Sequence, residues 1–260
     1  MTIGAIGVGP AGSIFAACLA EAGARVVATD LPFRIEQIRA NGLQIYWGDR
    51  HIQQRIETVD SIKALCDADP DCIFISTKAS ILDKLLPDIA NVAGDTCLVL
   101  SVQNGIGTEN EIAKSVPPKN VCRMVINYAG GNDDEGNTKV AWFNPPNFLG
   151  FHEDREDPRL TMMVDMLNSV GLTSELVDSK TVKKRAFLKT VLNAALMPIC
   201  AVMNLTMSEA MNGIVTRKLA EDVLKECLEV GMKLGYDYGP DILDTCMDYL
   251  DKGGNHHPSM

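Results

Sequence analysis

The sequence predicts an α/β protein, a doubly wound and mostly parallel sheet followed by an all-helical C-terminal region. Three observations predict it. Short apolar runs of strand length alternate with helical patterns as far as Val177. The run Cys72-Ile73-Phe74-Ile75 is continuously apolar, as in a strand covered on both faces, and Thr96 to Val102 reads as another buried strand. From Thr181 onward only helical periodicity remains. Alternating strands and helices build βαβ units and hence a parallel sheet. The change of character near Asp178 to Lys180 sets two domains, residues 1–178 and 179–260.

The first element organises the rest. Ile3, Ala5, Ile6 and Val8 make a short strand, Gly7-Val8-Gly9-Pro10-Ala11-Gly12 follows without a gap, and Ile14 to Ala22 reads as an apolar helix. Strand, glycine turn and helix is the context in which Gly-x-Gly-x-x-Gly carries meaning. Gly7 permits the tight turn, Gly9 lets the main chain approach a pyrophosphate, and Gly12 lets helix and strand pack closely. The helix N-terminus offers free N–H groups and partial positive charge to phosphates. Arg25 to Thr29 is the next strand, and Asp30 ends it, eighteen residues past Gly12. An acid there can hydrogen-bond a ribose diol. Together these features predict a Rossmann-like dinucleotide site.

The remaining elements follow in order. Phe33 to Ala40 has helical spacing and stops at Asn41-Gly42. Leu43 to Trp47 and Ile52 to Ile56 alternate around Gly48-Asp49, a hairpin pattern. Ser61 to Cys66 is a short helix. Ile81 to Val92 is amphipathic, with Pro87 marking a break or a new start. The strand ending at Val102 empties into Gln103-Asn104-Gly105-Ile106-Gly107, and Glu109 to Lys114 is a brief helix. Val121 to Tyr128 is a further strand, Gly130 to Asn137 a polar turn, and Thr138 to Phe143 and Phe148 to Phe151 are late strands. Pro158 to Val170 is a helix with a core stripe of Met162, Met163, Met166 and Leu167, and Thr173 to Val177 closes the sheet. Gly9, Asp30, Lys78 and Asn104 each fall just after a predicted strand. They should line one crevice, because ligands of such sheets sit beyond the carboxyl ends of the strands.

Composition narrows the function. At 46% hydrophobic over 260 residues the chain can bury a real core. A formal charge of −10 argues against nucleic acid as partner, since phosphate backbones need a basic face. No apolar stretch of membrane-spanning length and no leader stand out, which predicts a cytoplasmic protein without membrane contact. Eight cysteines are scattered singly and suit buried, reduced thiols, and neither they nor the four histidines show metal-ligand spacing.

The helical region holds a second constellation. Thr181 to Asn204 is a long helical pattern, interrupted near Pro198, and nearly apolar all round between Arg185 and Ala201. Arg185, Lys189 and Asn193 stand at i, i+4 and i+8, on one stripe. A lysine and an amide within a buried stripe need partners, and an anionic ligand would supply one. A narrow solvated face with a snorkelling Lys189 fits the pattern equally well. Ser208 to Asn212, Arg217 to Leu234 and Ile242 to Leu250 are the remaining helices, and their apolar faces are compatible with a homodimer.

Along essentially its whole length the chain resembles the ketopantoate reductase (2-dehydropantoate 2-reductase) family. The resemblance rests on Gly7-x-Gly9-x-x-Gly12, Thr77-Lys78-Ala79, Gln103-Asn104-Gly105-Ile106-Gly107, Lys189-x-x-x-Asn193 and Pro258-Ser259-Met260, in that order and spacing. It implies a nicotinamide cofactor, NADPH by family habit, bound by the Rossmann domain with help from Lys78. It implies Lys189 as general acid, Asn104 beside nicotinamide and substrate, and Asn193 and Ser259 on a small anionic 2-oxo acid. The chain departs from the family in four places. A second asparagine one turn along the catalytic helix is replaced by Met197, and a further polar contact falls at Met207. The arginine that would meet the NADPH phosphate is replaced by Asp30-Leu31, which favours NADH, although Arg34 stands one turn on. A glutamate expected beyond Ser259 would lie past Met260, so the helical domain is expected to be incomplete at its C-terminus. A relative acting on a less polar 2-oxo acid or an opine-type substrate, and a cofactor-binding protein without turnover, remain open beside the reductase.

Overall fold

A computed structural model describes residues 1–255 together with His257 and Pro258. The chain divides into two units, Met1–Val182 and Lys183–Met260. In the first unit the elements run β1 (Thr2–Ile6), α1 (Pro10–Glu21), β2 (Arg25–Thr29), α2 (Pro32–Asn41), β3 (Leu43–Trp47), β4 (Arg50–Gln54), β5 (Glu57–Thr58), β6 (Cys72–Ile75) and α3 (Leu82–Ala93). They continue with β7 (Leu98–Ser101), α4 (Thr108–Ile112), β8 (Val121–Val125), β9 (Tyr128–Asn132), β10 (Thr138–Phe143), β11 (Asn147–Phe151), α5 (Pro158–Ser169) and β12 (Ser174–Leu176).

Eight strands form the main sheet in the order β12-β11-β8-β7-β6-β1-β2-β5. From β5 to β8 all neighbours are parallel, while β11 runs antiparallel to β8 and β12 parallel to β11. The chain starts at β1, steps outward through β2 to β5, then returns to β6 on the other side. That reversal is the topological switch point of a doubly wound sheet, where ligands bind. Alternation along β6 shows why its residues are all apolar: Cys72 and Phe74 join the core containing α1 and α5, whereas Ile73 and Ile75 join the core under α3.

A second sheet, β4-β3-β10-β9, lies on the outer side of α1. This sandwich explains the helix's composition. Gly12 to Leu19 are buried without a break, and a helix buried all round has no use for a polar face. Phe15 meets Phe74 edge to face at 5.0 Å. On its other side Ile14 faces β9, where a Cβ on Gly130 would come within 3.1 Å of Ile14 Cδ1 and 2.7 Å of the Lys139 carbonyl. The expected turn at Gly130 to Asn137 is therefore corrected. Its first residues are strand, and glycine is there for close approach to α1 rather than for chain reversal. Pro87 causes no break, since α3 runs through it, and Met162 leaves the expected core stripe at 49% exposure.

The second unit consists of α6 (Ser179–Met203) from Lys183 onward, α7 (Met207–Asn212), α8 (Ile214–Lys233) and α9 (Ile242–Asp251). The first residues of α6 belong to the first unit. Ser179 Oγ donates to the His152 carbonyl at 2.6 Å, and its N–H donates to Asp154 Oδ1 at 2.6 Å. The helix also runs through Pro198 without interruption. Phe187, Val191, Ala195 and Leu196 face a core completed by Leu224 and Leu228 of α8 and by Cys246 and Leu250 of α9. By length and composition α6 is long and apolar enough to cross a bilayer, which corrects the expectation that no such stretch exists. Its basic residues are crowded into the first half, so the apolar second half escapes a simple scan for uncharged runs. The packed face is what a core helix presents.

Candidate functional site

The three glycines occupy three physically different positions. Gly7 has φ +90° at the end of β1, and a Cβ there would crowd Thr77. A Cβ on Gly12 would overlap both the Gly7 carbonyl oxygen and Ser76 Oγ. Gly9, the N-cap of α1, is the opposite case, because a Cβ on it would meet nothing within 4 Å. The main chain at Gly9 is thus open to a ligand, at the positive end of a twelve-residue helix. Such a cradle fits the pyrophosphate of a dinucleotide.

Asp30 is drawn against this loop. Its Oδ2 accepts from the Val8 N–H at 2.6 Å, and its Oδ1 accepts from the Leu31 N–H at 2.7 Å. Gly9 and Asp30 line one cavity of about 260 Å³ together with Phe33, Arg34, Asp133 and Asp134. Leu31 and Phe33 are each 61% exposed beside Asp30, an apolar border that suits a purine. Arg34 does not stand ready for a phosphate. It is buried, its Nε donates to the Val8 carbonyl at 2.9 Å, Nη2 to Ser13 Oγ at 2.9 Å, and Nη1 to the Gly136 carbonyl at 2.6 Å. Burial pulls its pKa below the ordinary guanidinium value, with the Asp30 charge opposing. The segment that receives Nη1 is tied by Asp133, whose carboxylate accepts from the Asn137 N–H at 2.9 Å.

Lys78 and Asn104 follow β6 and β7 at the same sheet edge, and both side chains are exposed. Their loops are joined by Gln103, whose Nε2 donates to the Thr77 carbonyl at 2.9 Å. The loop after β6 is joined in turn to the glycine loop, since Ser76 Oγ donates to the Gly7 carbonyl at 2.6 Å. The first unit thus brings Gly7, Gly9, Gly12, Asp30, Lys78 and Asn104 to one edge, beyond the carboxyl ends of β1, β2, β6 and β7. In the second unit Lys189 and Asn193 are half-buried, one turn apart on α6, flanking the face that enters the core, and Met197 follows one turn later with similar exposure. Ser259 lies outside the described residues.

Sequence patterns gave no sign that Arg34 is locked or that Gln103 ties two loops, and they passed over Phe33 and the pair Arg123–Glu109 beneath the Asn104 loop. The last left a visible signal. Val121-Cys122-Arg123-Met124-Val125 places one arginine within an otherwise apolar strand, and a charge there demands a partner.

Comparison with known proteins covers both units. The family model described as "Ketopantoate reductase PanE/ApbA" matches residues 3–148, and the model of the family's C-terminal domain matches residues 181–260. A 2-dehydropantoate 2-reductase of Streptococcus pyogenes serotype M18 (strain MGAS8232) is 25% identical over 227 residues, 87% of this chain and 72% of that protein. One from Pyrococcus horikoshii is 25% identical over 261 residues, covering 100% of this chain and 83% of its own. Among solved structures, a D-mandelate dehydrogenase with NADH and anilino(oxo)acetate superposes with a TM-score of 0.88 at 24% identity, over 100% of this chain and 84% of the other. A ketopantoate reductase from Ralstonia eutropha JMP134 gives 0.86 at 18% identity, over 100% and 83%.

Proposed function

This chain belongs to the ketopantoate reductase family, and from that premise we propose that it reduces the ketone of a small anionic 2-oxo acid to the 2-hydroxy acid with NADH, in the cytoplasm. The observation that carries the cofactor is the open main chain at Gly9, set at the N-terminus of α1 beside Asp30. Gly7, Gly9 and Gly12 would hold the pyrophosphate, Asp30 the ribose hydroxyls, Phe33 the purine, and Lys78 and Asn104 the nicotinamide half. The reduced nicotinamide supplies a hydride to the carbonyl carbon when bound. Lys189 then serves the oxygen: its ammonium stabilises the developing charge and delivers the proton that completes the alcohol. Asn193, one turn away, would orient the substrate by its hydroxyl or carboxylate, and Ser259 would add a further contact.

Three features support NADH over NADPH. Asp30 accepts hydrogen bonds where a 2′-phosphate would bring negative charge. Asp133 and Asp134 line the same cavity. Arg34, the nearest cation along the chain, is engaged on four oxygens of the fold. For the substrate, Met197 favours a second member of the same class, a 2-oxo acid with a less polar tail than 2-dehydropantoate.

The test is turnover of reduced nicotinamide with a panel of 2-oxo acids, branched, hydroxylated and aromatic. Reduction of at least one acid, with loss of rate in Lys189→Ala, is expected. Tight NADH binding with no turnover of any acid would replace the enzyme by a cofactor-binding protein.

A further inference from the structure

Beneath the loop that carries Asn104 lies a polar network which the proposed reaction does not use. Arg123 is the third residue of β8, a strand buried at every position. Its side chain is 3% exposed, that of Glu109 is 5%, and the two pair at 3.1 Å. The same Nη1 donates to Thr108 Oγ1, which in turn lies 2.7 Å from Ser101 Oγ. Nη2 donates to the Gly105 carbonyl at 2.8 Å. Every partner of this guanidinium therefore belongs to one stretch, Ser101 to Glu109, which leaves the carboxyl end of β7 and enters α4.

The ends of that stretch are held by the fold, Val102 by the Ile75 carbonyl and Gly107 by the Glu111 N–H, but its tip is less well held. Gly105 and Gly107 have φ of +105° and +81° and carry no side chain. Ile106 is 59% exposed, so the loop has no apolar anchor at its tip. Asn104 sits between two tethers: Gln103, bonded to the Thr77 carbonyl, and the Gly105 carbonyl, bonded to Arg123. Stability alone is a poor account of such a pair, because replacing a buried ion pair by apolar residues is often neutral or stabilising. Geometry is a better one. A planar fork can bind a carboxylate and a carbonyl from fixed directions at once, which an ammonium cannot.

We propose that Arg123, neutralised by Glu109, is a positioning residue: it fixes the Gly105 carbonyl and so holds Asn104 in register with the nicotinamide end of the cofactor and the 2-oxo acid. The inference rests on the assignment of Asn104 to that end of the site. Arg123 touches neither substrate nor cofactor. Glu109 offsets the cost of burying its charge, and the Thr108 hydroxyl, itself held by Ser101 Oγ, accepts the second bond of Nη1.

Two variants test it. Arg123→Lys keeps the charge and loses the fork. The double variant Arg123→Met, Glu109→Leu removes both charges and keeps the volume apolar, so it should fold where a single deletion would strand a buried ion. In both, amide exchange across residues 104–107 should speed up severalfold, while NADH binding at the glycine loop stays near wild type. The rate constant kcat on the best 2-oxo acid should fall about 10- to 100-fold, the cost of a misplacement near 1 Å, with KM little changed. Wild-type exchange and kcat in the double variant would overturn the proposal, and so would full rescue by Arg123→Lys. Exchange is read without turnover. If wild type reduces no 2-oxo acid, the proposed reaction fails, whereas the exchange data still decide whether Arg123 holds the loop.

Discussion

In the first unit the candidate cofactor groups are main-chain features: a φ of +90° at Gly7, an open Cα at Gly9, and a contact at Gly12 too close for any side chain. In the second unit the candidates are two side chains, Lys189 and Asn193, half-buried on a single helix. The difference concerns what can change. A cradle made of backbone is set by the fold: a side chain at Gly7 or Gly12 disturbs the turn itself, and one at Gly9 would enter the space left open to a ligand. A stripe of side chains on a packed helix can be rewritten residue by residue while Phe187, Val191 and Leu196 keep the helix in its core. Cofactor chemistry should therefore be robustly inherited, and substrate choice should drift.

The largest effect tests the rigid side. Gly12→Val would drive its side chain into the Gly7 carbonyl of the turn and into Ser76 Oγ of the loop after β6, which is bonded to that carbonyl. Overpacking typically costs about 1–3 kcal/mol and more where backbone must move. We expect loss of detectable NADH binding together with a clear fall in Tm. A stable variant that still binds NADH would show that the turn is more plastic than its geometry indicates.

Lys189→Ala tests the other side. The expected loss in kcat is 10²- to 10⁴-fold, roughly 3–5 kcal/mol of transition-state stabilisation, with NADH binding intact. Because Lys189 is half-buried outside the packed face, Tm should move little, within about 0.5 kcal/mol of stability. Lys189→Arg should fail to restore the rate, since a guanidinium does not give up its proton near neutrality. Near wild-type turnover in Lys189→Ala would remove it from the mechanism and turn attention to Lys78. A Tm loss as large as that of Gly12→Val would erase the contrast between the units.

Cofactor choice is the third effect. With Arg34 engaged by Val8, Ser13 and Gly136, and with Asp30, Asp133 and Asp134 around the cavity, NADH should bind at least about tenfold more tightly than NADPH, or about 1.4 kcal/mol. Equal or tighter NADPH binding would mean that Arg34 leaves its partners, and Arg34→Ala would then abolish the NADPH affinity.

Legibility in the sequence followed the same division. The glycine turn, Asp30 and the doubly wound order could be read because main-chain constraints write themselves into residue type at fixed spacing. Lys189 and Asn193 shared a stripe because helical periodicity is local. What escaped was whatever depends on partners distant in the chain. Arg34 bonds to Gly136, 102 residues away, so its capture was invisible and it looked like a free cation. Gly130 read as part of a turn because glycine marks both reversal and close approach, and only α1 packed against β9 separates the two. Arg123 announced a partner by its apolar surroundings but could not name Glu109.

The smallest effect lies where the helix can be rewritten. Met197 stands one turn beyond Asn193, at a half-buried place where the family resemblance implies a second amide. A thioether wall accepts many tails, whereas an amide selects those that can hydrogen-bond it. Met197→Asn should therefore raise kcat/KM for 2-dehydropantoate, with its hydroxylated tail, relative to an acid with an apolar tail. One net hydrogen bond is worth about 0.5–1.5 kcal/mol, so the ratio should move roughly threefold to tenfold. The change should appear in substrate parameters only, with Tm held because residue 197 is not part of the Phe187–Leu196 core, and with NADH affinity held because the proposed cofactor groups belong to the first unit. A wild-type kcat/KM for 2-dehydropantoate far above every other acid tested would show that Met197 does not loosen selectivity. A shift in NADH affinity in the variant would show that the two units are coupled through this helix, and that the substrate stripe is less free to change than its exposure suggests.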